Sequence, residues 1–507
     1  MENDFEFLKH NWFIRFLYKI GSAVFSIPKL LLSGILAIWN GIKKIGLAIW
    51  ATLCDIGHTF TKGSWKTKVS FFVMGFGNLS RGQILRGVLF LFFEALFIFY
   101  MVCFGGHWLA KLASLGTAST YEVYDAGLDV NTVVHGDDSF KILLYGLLTV
   151  FFIVAFVYTW RLNVKQNRIA DEILATGKKL KSGKDDLKSL VDDQFHKTLL
   201  ALPLTGILIF TVMPIIFMIL VAFTNYDGTH DGYSNLFTWV GMQNFNELFA
   251  GATSDGNLSY TFGEILSWTL IWAFFATFTN YFLGMFVAIM INKRGIRLKK
   301  LWRGILVLTI AIPQFVSLIY VSRMFANNGL VNGALMSWGW INSPIQFWKD
   351  TTLARIMVIL VNVWIGIPYL MLIATGILMN IPNDLYESAK IDGASVFQQY
   401  TKITLPYMLF VTGPYLLTSF IANINNFNVI YLLTWGQAVD NPALKTSGGN
   451  ATGVDLLITW LFKITTGQTS NYKLAAVIGI MIFLVVAVLS LIVFNLMPST
   501  RNEDDYS

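Results

Sequence analysis

The sequence predicts an all-α, polytopic membrane protein with about eight transmembrane helices, and three observations lead to this fold class. Of the 507 residues, 55% are hydrophobic and only 13% are charged, whereas a soluble domain has about 25% charged residues. Eight apolar segments approach or exceed the roughly 20 residues that a spanning helix needs. Basic residues gather in alternate loops between these segments. The predicted spans lie near residues 86–105, 141–160, 198–223, 265–292, 302–325, 354–379, 407–433 and 473–496.

The distribution of basic residues predicts the orientation of the chain in the membrane. Residues 1–86 contain eleven Lys and Arg, residues 161–197 contain nine, and residues 293–303 contain six. Residues 224–263, between the third and fourth spans, contain none. Because cytoplasmic loops carry an excess of Lys and Arg, we expect both termini to be cytoplasmic. The same rule accounts for the net charge of +7 without a nucleic-acid partner.

The regions outside the spans complete the predicted organisation. An apolar run at 30–39, bounded by Pro28 and two lysines, favours a helix lying in the membrane interface. A ninth span within residues 5–60 is the alternative. We therefore expect a cytoplasmic or interfacial region (1–85), two accessory transmembrane helices (86–160), a partly helical cytoplasmic linker (161–197), a six-helix core (198–496) and a cytoplasmic tail (497–507).

The most specific motif lies in a polar loop, residues 381–406, between the sixth and seventh spans. Pro382 suits a first helical turn, and Asn383 and Asp384 favour a helix start by capping and by their effect on the helix dipole. Gly393 permits a sharp reversal of the chain. We expect a short helix–turn–helix on the cytoplasmic side, where a soluble partner can grip it; an ordinary amphipathic connector is the alternative. The motif consists of Glu387-Ser388-Ala389, Gly393 after three residues, and Ile403-Thr404-Leu405-Pro406 after nine more.

Polar residues in the seventh predicted span indicate a substrate path. Ser419, Asn423 and Asn426 are spaced so that one helix face would carry all three, and aromatic residues adjoin them. Amides and hydroxyls that bond sugar hydroxyls, with rings that stack on the apolar face, suit a neutral sugar. Hydrogen bonding between helices is an equal alternative for such residues.

The loop resembles the "EAA" coupling loop of ABC importer permeases, with Ser388 in place of the second alanine. Residues 86–496 resemble the larger permease subunit of maltose/maltodextrin ABC importers, and the short 224–263 loop is similar to that of Gram-positive members. The shared stretches are Trp364-Ile365-Gly366-Ile367-Pro368-Tyr369, Ile381-Pro382-Asn383-Asp384-Leu385-Tyr386-Glu387, and Ser419-Phe420 through Asn425-Asn426-Phe427.

This resemblance implies a type I ABC importer permease fold and assigns roles to individual residues. The sequence departs from the enteric pattern at Ala422, where a stacking phenylalanine stands in the enteric permease, and at Ile310, where a tyrosine stands. The implied sugar-binding residues are Gly366, Tyr369, Ser419, Asn423 and Asn426. The implied ATPase-coupling residues are Glu387, Ser388, Ala389, Gly393, Ile403, Leu405 and Pro406.

The resemblance also implies the partners and the mechanism. The chain would form a heterodimer with a second permease subunit in the bacterial plasma membrane, beside lipid. A cytoplasmic ATPase dimer would use ATP, and an extracellular binding protein would deliver an oligosaccharide, with maltodextrin first and galacto-oligosaccharides second. ATP-driven closure of the ATPase would reach the spans through the loop and produce alternating access.

We expect no catalytic residue, no metal ligand and no cofactor bound by this chain, because it lacks phosphate-binding, zinc-protease and nucleophile-elbow motifs. An ion-coupled sugar carrier is the rival from another class. That rival requires acidic residues near the substrate, and span 407–433 has no charged residue. A membrane-embedded glycosyl transferase would need a carboxylate cluster, for which the nearest group is Asp125, Asp129, Asp137 and Asp138.

Overall fold

Long apolar helices dominate the structure, a computed structural model of the whole chain. It describes residues 46–125, 129–230, 236–250, 258–293, 295–435, 441–444, 451–467 and 470–496, with isolated residues between 36 and 44 and at 438 and 439. Most of the predicted interfacial helix at 30–39 and the whole tail 497–507 lie outside the described residues. Two compact units are distinguished, one formed by residues 1–218 with 232–238 and the other by residues 219–231 with 239–507.

The first unit contains helices and one β-hairpin. Residues 46–62 are helical, and a π-helical turn, Met101–Gly105, continues α3 into α4. The strands β1 and β2 pair antiparallel, with Tyr121 opposite Val134. The elements are α1 Trp65–Val69, α2 Phe76–Leu79, α3 Ile84–Tyr100, α4 Gly106–Lys111, β1 Tyr121–Asp125, β2 Val130–Val134, α5 Ser139–Ala175, α6 Gly183–Val191 and α7 Phe195–Ile207.

The rest of the described chain is helical or irregular. Two further π-helical turns, Leu208–Val212 and Tyr400–Thr404, interrupt otherwise continuous helices. Two 3₁₀ turns lie at Gly228–His230 and Pro442–Leu444. The helices are α8 Met213–Val221, α9 Gln243–Ala250, α10 Leu258–Asn292, α11 Lys299–Ala311, α12 Gln314–Met324, α13 Leu330–Ser337, α14 Thr351–Leu378, α15 Asn383–Ile391, α16 Val396–Gln399, α17 Leu405–Ile424, α18 Phe427–Thr434, α19 Leu457–Thr466 and α20 Tyr472–Leu496.

The predicted all-α membrane fold with about eight spans is confirmed. Within the described ranges, seven helices are long and apolar enough to cross a membrane, and the bent pair α11 and α12 makes an eighth if it counts as one span. Helices suit this environment because their backbone groups are hydrogen-bonded within the segment. The seven are Ile84–Lys111, Ser139–Ala175, Phe195–Val221, Leu258–Asn292, Thr351–Leu378, Val396–Ile424 and Tyr472–Leu491.

The fifth predicted span, 302–325, is not a straight helix. The axes of α11 and α12 differ by 89°. Pro313 has no N–H for the helical ladder and disfavours helical backbone in the residue before it. Ile312 accordingly has extended angles, with φ of −80° and ψ of 125°.

The seventh predicted span, 407–433, is also broken. α17 ends at Ile424, and Asn426 is the residue that begins α18, where its side chain accepts a hydrogen bond from the Val429 amide at 3.3 Å. Asparagine side chains compete with the helical backbone for such bonds. The prediction that Asn426 shares one helix face with Ser419 and Asn423 is therefore wrong, because the helix is interrupted between Ile424 and Asn426.

A polar cluster ties the segment before α3 to α5 within the first unit. The Arg81 guanidinium is 2% exposed and lies 2.6 Å from the Asp171 carboxylate, and it also donates to Asn167 at 2.6 Å. Glu94, an acidic residue inside a span, accepts a hydrogen bond from the Met74 amide at 2.8 Å. The buried Arg81 guanidinium requires such partners, and the hydrogen bond of the half-buried Glu94 joins α3 to the segment before it.

The second unit is centred on α10, which packs along α14 and α17. Toward its start, Trp268 and Trp272 pack against Val358 and Val429. Toward its end, Met285 packs with residues of α14 and α17 in a second apolar cluster. α10 is therefore a common support for the two helices that carry four of the five predicted sugar-binding residues, Gly366, Tyr369, Ser419 and Asn423.

An ion pair attaches the loop that follows α8 to the start of α20. The Asp227 carboxylate lies 3.0 Å from Lys473 Nζ. Burial raises the pKa of Asp227, but hydrogen bonds from Thr229 and Lys473, together with the Lys473 charge, outweigh this and hold it at about 2. Asp227 is consequently ionised at neutral pH and keeps this pair intact.

Candidate functional site

The first candidate site is the coupling hairpin, which we define as residues 381–406. α15 follows Pro382 and has Asp384 in its first turn, where a carboxylate stabilises the positive end of a helix. No side chain caps α15, so the predicted capping by Asn383 and Asp384 is wrong. Proline occupies the capping position, where it sets the backbone angle but offers no hydrogen-bonding side chain.

A tight turn reverses the chain between the two helices of the hairpin. Gly393 has a φ of +79°, in the left-handed region that residues with a Cβ rarely adopt. The Ala394 amide donates to the Ala389 carbonyl at 2.8 Å, which closes the end of α15. Ser395 and Gln398 then form a capping box that starts α16.

The tip of the hairpin presents apolar side chains to the outside. Ile391 is 86% exposed, Val396 83% and Phe397 74%. Glu387 is exposed and forms no ion pair within the described part of the chain. The Ser388 hydroxyl donates to the Asp384 carbonyl of its own helix at 2.8 Å, so the polar group at the alanine position of the motif is paired within the helix. Exposed apolar groups beside a carboxylate form a surface suited to a protein partner.

The base of the hairpin is attached to the membrane helices. The Tyr386 hydroxyl lies 2.8 Å from the Thr404 hydroxyl, across the hairpin, and Ile381 is buried. Ile403 lies in the π-helical turn, and Leu405 and Pro406 open α17. Val396–Ile424 is one helical stretch that includes the π-helical turn, so the second half of the hairpin continues directly into α17.

The second candidate site is a polar stripe on α17, formed by Tyr415, Ser419 and Asn423. These residues are four apart and therefore share one face, and all three are half-buried. The Tyr415 ring lies 6.5 Å from the ring of Tyr369, on α14. The structure thus places Tyr369 opposite Tyr415, a ring that the sequence analysis did not select, on the face of α17 that also carries Ser419 and Asn423.

Asn426 rejoins this stripe although it lies beyond the helix break. Its Nδ2 donates to Asn423 Oδ1 at 3.3 Å. Asn423 Nδ2 in turn donates to the Thr277 hydroxyl of α10 at 3.0 Å, and its backbone carbonyl accepts from Trp272 Nε1 at 3.0 Å. Helices α17 and α18 contain no charged residue, so the stripe offers neutral hydrogen-bonding groups.

Gly366 allows α14 to approach α10 closely. A Cβ on Gly366 would lie 2.5 Å from Asn280 Nδ2 and 2.7 Å from its Oδ1. Asn280 Nδ2 donates to the Ala276 carbonyl at 2.8 Å, while its Oδ1 is buried and has no hydrogen-bond partner. The space that a side chain at position 366 would fill is thus taken by the Asn280 amide.

A cavity of about 350 Å³ lies at the break between α11 and α12. Its wall includes Tyr369 and Ile310, the position where the enteric pattern has a tyrosine. The sequence analysis did not select the polar residues of this wall. Pro313, inside a predicted span, was the available signal, because it breaks the helix beside which the cavity forms. The missed residues are Thr309, Gln314, Ser317 and Trp364.

Membrane-spanning helices that carry a neutral polar stripe, with an exposed hairpin at the end of the helix that bears it, define a permease subunit of a membrane transporter. Residues 280–502 match the family described as "Binding-protein-dependent transport system inner membrane component". The chain is 31% identical over 455 residues to the maltodextrin transport system permease protein MdxF of Bacillus subtilis (strain 168), covering 88% of this chain and 99% of the relative. The chain therefore belongs to the maltodextrin-type permeases of ABC transporters.

Two further comparisons cover different shares of the chain. The galactooligosaccharides transport system permease protein GanP of the same Bacillus subtilis strain is 33% identical over 433 residues, which is 85% of this chain and 97% of the relative. A chain from the crystal structure of a bacterial alginate ABC transporter, in complex with its alginate pentasaccharide-bound periplasmic protein, aligns with a TM-score of 0.49 at 20% identity. That alignment covers 62% of this chain and 98% of the alginate transporter chain.

Proposed function

We propose that this chain imports oligosaccharides, with malto-oligosaccharides as the leading substrate class, as the larger membrane subunit of an ATP-driven transporter. Its pore is shared with a second permease subunit, and ATP is hydrolysed by a separate cytoplasmic ATPase dimer. An external binding protein delivers the sugar. The chain itself binds no cofactor and performs no covalent chemistry, and both of its termini lie in the cytoplasm.

The coupling hairpin is the observation that carries this proposal. Its exposed apolar tip and Glu387 form a surface that no described residue of this chain covers, while its base continues into α17. An ATPase that grips the tip can therefore move the helix that bears Ser419 and Asn423. An ion-coupled carrier has no ATPase partner and would not need such a cytoplasmic binding surface.

The substrate class rests on the chemistry of the stripe and of the cavity. Asn423, Asn426 and Ser419 offer amides and a hydroxyl, and Tyr369 and Tyr415 offer ring faces on which a sugar can stack. Gly366 contributes by setting the approach of α14. Two relatives over 30% identical are named for maltodextrin and for galactooligosaccharides, which makes galacto-oligosaccharides the second candidate.

Transport would proceed by alternating access. ATP binding draws the two ATPase subunits together, the hairpin moves, and the spans open toward the outside to receive the sugar. Hydrolysis reverses the motion and releases the sugar inward. The broken helices at Pro313 and Asn425 lie beside the cavity and the stripe, where irregular backbone in a membrane is tolerated because it lines a cavity.

Uptake of labelled maltotriose and galactotriose tests the proposal in cells with and without this chain. ATP is depleted while the ion gradients are held constant. We expect uptake of one sugar to require both the chain and ATP. Uptake that instead follows an ion gradient would establish the carrier, and uptake of neither sugar would reject the substrate class.

A further inference from the structure

We propose that Thr277 is a positioning residue for sugar recognition, because it orients the side-chain amide of Asn423. This inference rests on the proposed function and concerns the same site. Thr277 lies on α10 and is only 2% exposed. Its hydroxyl oxygen accepts a hydrogen bond from Asn423 Nδ2 at 3.0 Å.

The remaining groups of Asn423 are held by other residues. Trp272 Nε1 donates to its backbone carbonyl at 3.0 Å, and Asn426 Nδ2 donates to its Oδ1 at 3.3 Å. A carboxamide has two N–H donors and an oxygen with two acceptor positions. One N–H and one acceptor position of Asn423 therefore stay open for a ligand.

Thr277 decides which way this open N–H points. The hydroxyl takes one N–H of Asn423, so the amide plane is set by a contact to α10 on one side and to Asn426 on the other. The open N–H is then presented in a defined direction, which is what a donor to a sugar hydroxyl oxygen requires. Without the hydroxyl, this N–H would lose its acceptor and the amide would rotate to find another.

Kinetics of uptake in variants of Thr277 test this role. The rates of labelled maltotriose and galactotriose uptake are measured over a concentration series in cells whose only copy of this chain is wild type, Thr277→Val or Thr277→Ser. Valine keeps the shape and removes the hydroxyl. Since one hydrogen bond is lost, we expect Thr277→Val to raise KM about 3- to 10-fold with little change in maximal rate. Thr277→Ser keeps the hydroxyl and should restore a KM near that of the wild type.

Thr269→Val is the matched control on the same helix. Thr269 is also buried, and its hydroxyl oxygen accepts from the Leu457 amide at 3.1 Å, away from Asn423. Loss of the Thr269 hydroxyl should lower the amount of protein in the membrane, and hence the maximal rate of uptake, without changing KM.

The outcomes separate this inference from the function on which it rests. An unchanged KM in Thr277→Val, the same rise in Thr269→Val, or no restoration by Thr277→Ser overturns the positioning role alone. If wild-type cells show no ATP-dependent uptake of either sugar, the proposed function fails, and the positioning role fails with it.

Discussion

Gly366 has a packing role that the sequence did not indicate. The resemblance implies a place in the sugar site, yet in this structure the space beside Gly366 is occupied by the amide of Asn280. The absence of a side chain at 366 is therefore required for the packing of α14 against α10, whether or not Gly366 also contacts the sugar. The Oδ1 of Asn280 is buried and has no hydrogen-bond partner. The contact between Asn280 and Gly366 therefore depends on steric fit.

Substitution of Gly366 tests this steric role. We expect Gly366→Ala to destabilise the protein by about 1–3 kcal/mol, as overpacking of a tight contact does, and to lower the rate of sugar uptake. The double variant Gly366→Ala with Asn280→Ala should regain stability and most of the uptake, since the truncated residue leaves room for the new methyl group. Thermal unfolding of the purified protein and uptake in cells are the two measurements.

Gly376→Ala is the control for that experiment, because a Cβ at Gly376 of the same helix meets no atom within 4 Å. It should leave both measurements near wild type. If Asn280→Ala restores stability but not uptake, Gly366 contacts the sugar as well as the neighbouring helix.

Glu387 carries the second prediction at this scale. Its carboxylate is exposed and has no ion-pair partner in the described chain, so its replacement should not affect folding. We expect Glu387→Lys to abolish sugar-stimulated ATP hydrolysis by the assembled transporter, because the reversed charge opposes a partner that a carboxylate attracts. Membrane insertion, measured by the amount of protein in purified membranes, should equal that of the wild type.

Asp193→Lys reverses an exposed carboxylate in the predicted cytoplasmic linker, outside the hairpin, and serves as the matched control. It should leave sugar-stimulated hydrolysis intact. Normal stimulation in Glu387→Lys would show that this residue has no part in coupling.

Among the elements, the coupling hairpin and α17 are joined by a helical stretch and by a side-chain hydrogen bond, and we expect them to move together. The hairpin turns at Gly393, and its second half runs without a break from Val396 to Ile424. Within the described part of the chain, the hydrogen bond between the Tyr386 and Thr404 hydroxyls joins α15 to the π-helical turn of this stretch. We therefore expect force applied to α15 to reach α17 through this contact.

Removal of this hydrogen bond should weaken coupling. We expect Tyr386→Phe to reduce sugar-stimulated ATP hydrolysis about 2- to 10-fold, which corresponds to the net contribution of one hydrogen bond, with basal hydrolysis unchanged. Tyr407→Phe is the control, because Tyr407 stands near the same end of α17 and has no side-chain hydrogen bond recorded within the described residues. Equal loss in both variants would mean that the tyrosine rings act through packing.

For the whole molecule, the testable property is its orientation in the membrane. The excess of Lys and Arg in residues 1–86, 161–197 and 293–303 predicts that these regions face the cytoplasm. The coupling hairpin then lies on the same side. This side matters because ATP is available only there.

Cysteine labelling checks this orientation. Cys54 and Cys103 are exposed and are first changed to serine. In intact cells, a membrane-impermeant maleimide should then label Thr120→Cys in the loop between the first two spans. It should label Ser182→Cys only after the membrane is opened. The reverse pattern would place the hairpin outside the cell, away from ATP, and would contradict the coupling role.

The sequence alone predicted the class of fold, most of the spans and the coupling hairpin. Lipid offers no hydrogen bonds, so an apolar run of sufficient length has little choice but to form a spanning helix. The hairpin was predictable because its signals are local: Pro382 before a helix, Gly393 at the turn, and the spacing from Glu387 to Pro406. Proline at 313 and the asparagines at 425 and 426 also signalled the helix breaks, although two uninterrupted spans were predicted there.

Only the tertiary structure decided which side chains meet at the candidate site. Thr277 and Asn280 lie more than 80 residues from Gly366 and Asn423 in the sequence, and no local pattern marks them among the polar residues of α10. Their contacts depend on the depth and rotation at which α10, α14 and α17 pack. Those quantities are set by the fit of many side chains at once, whereas the length and polarity of each helix are properties of its own residues.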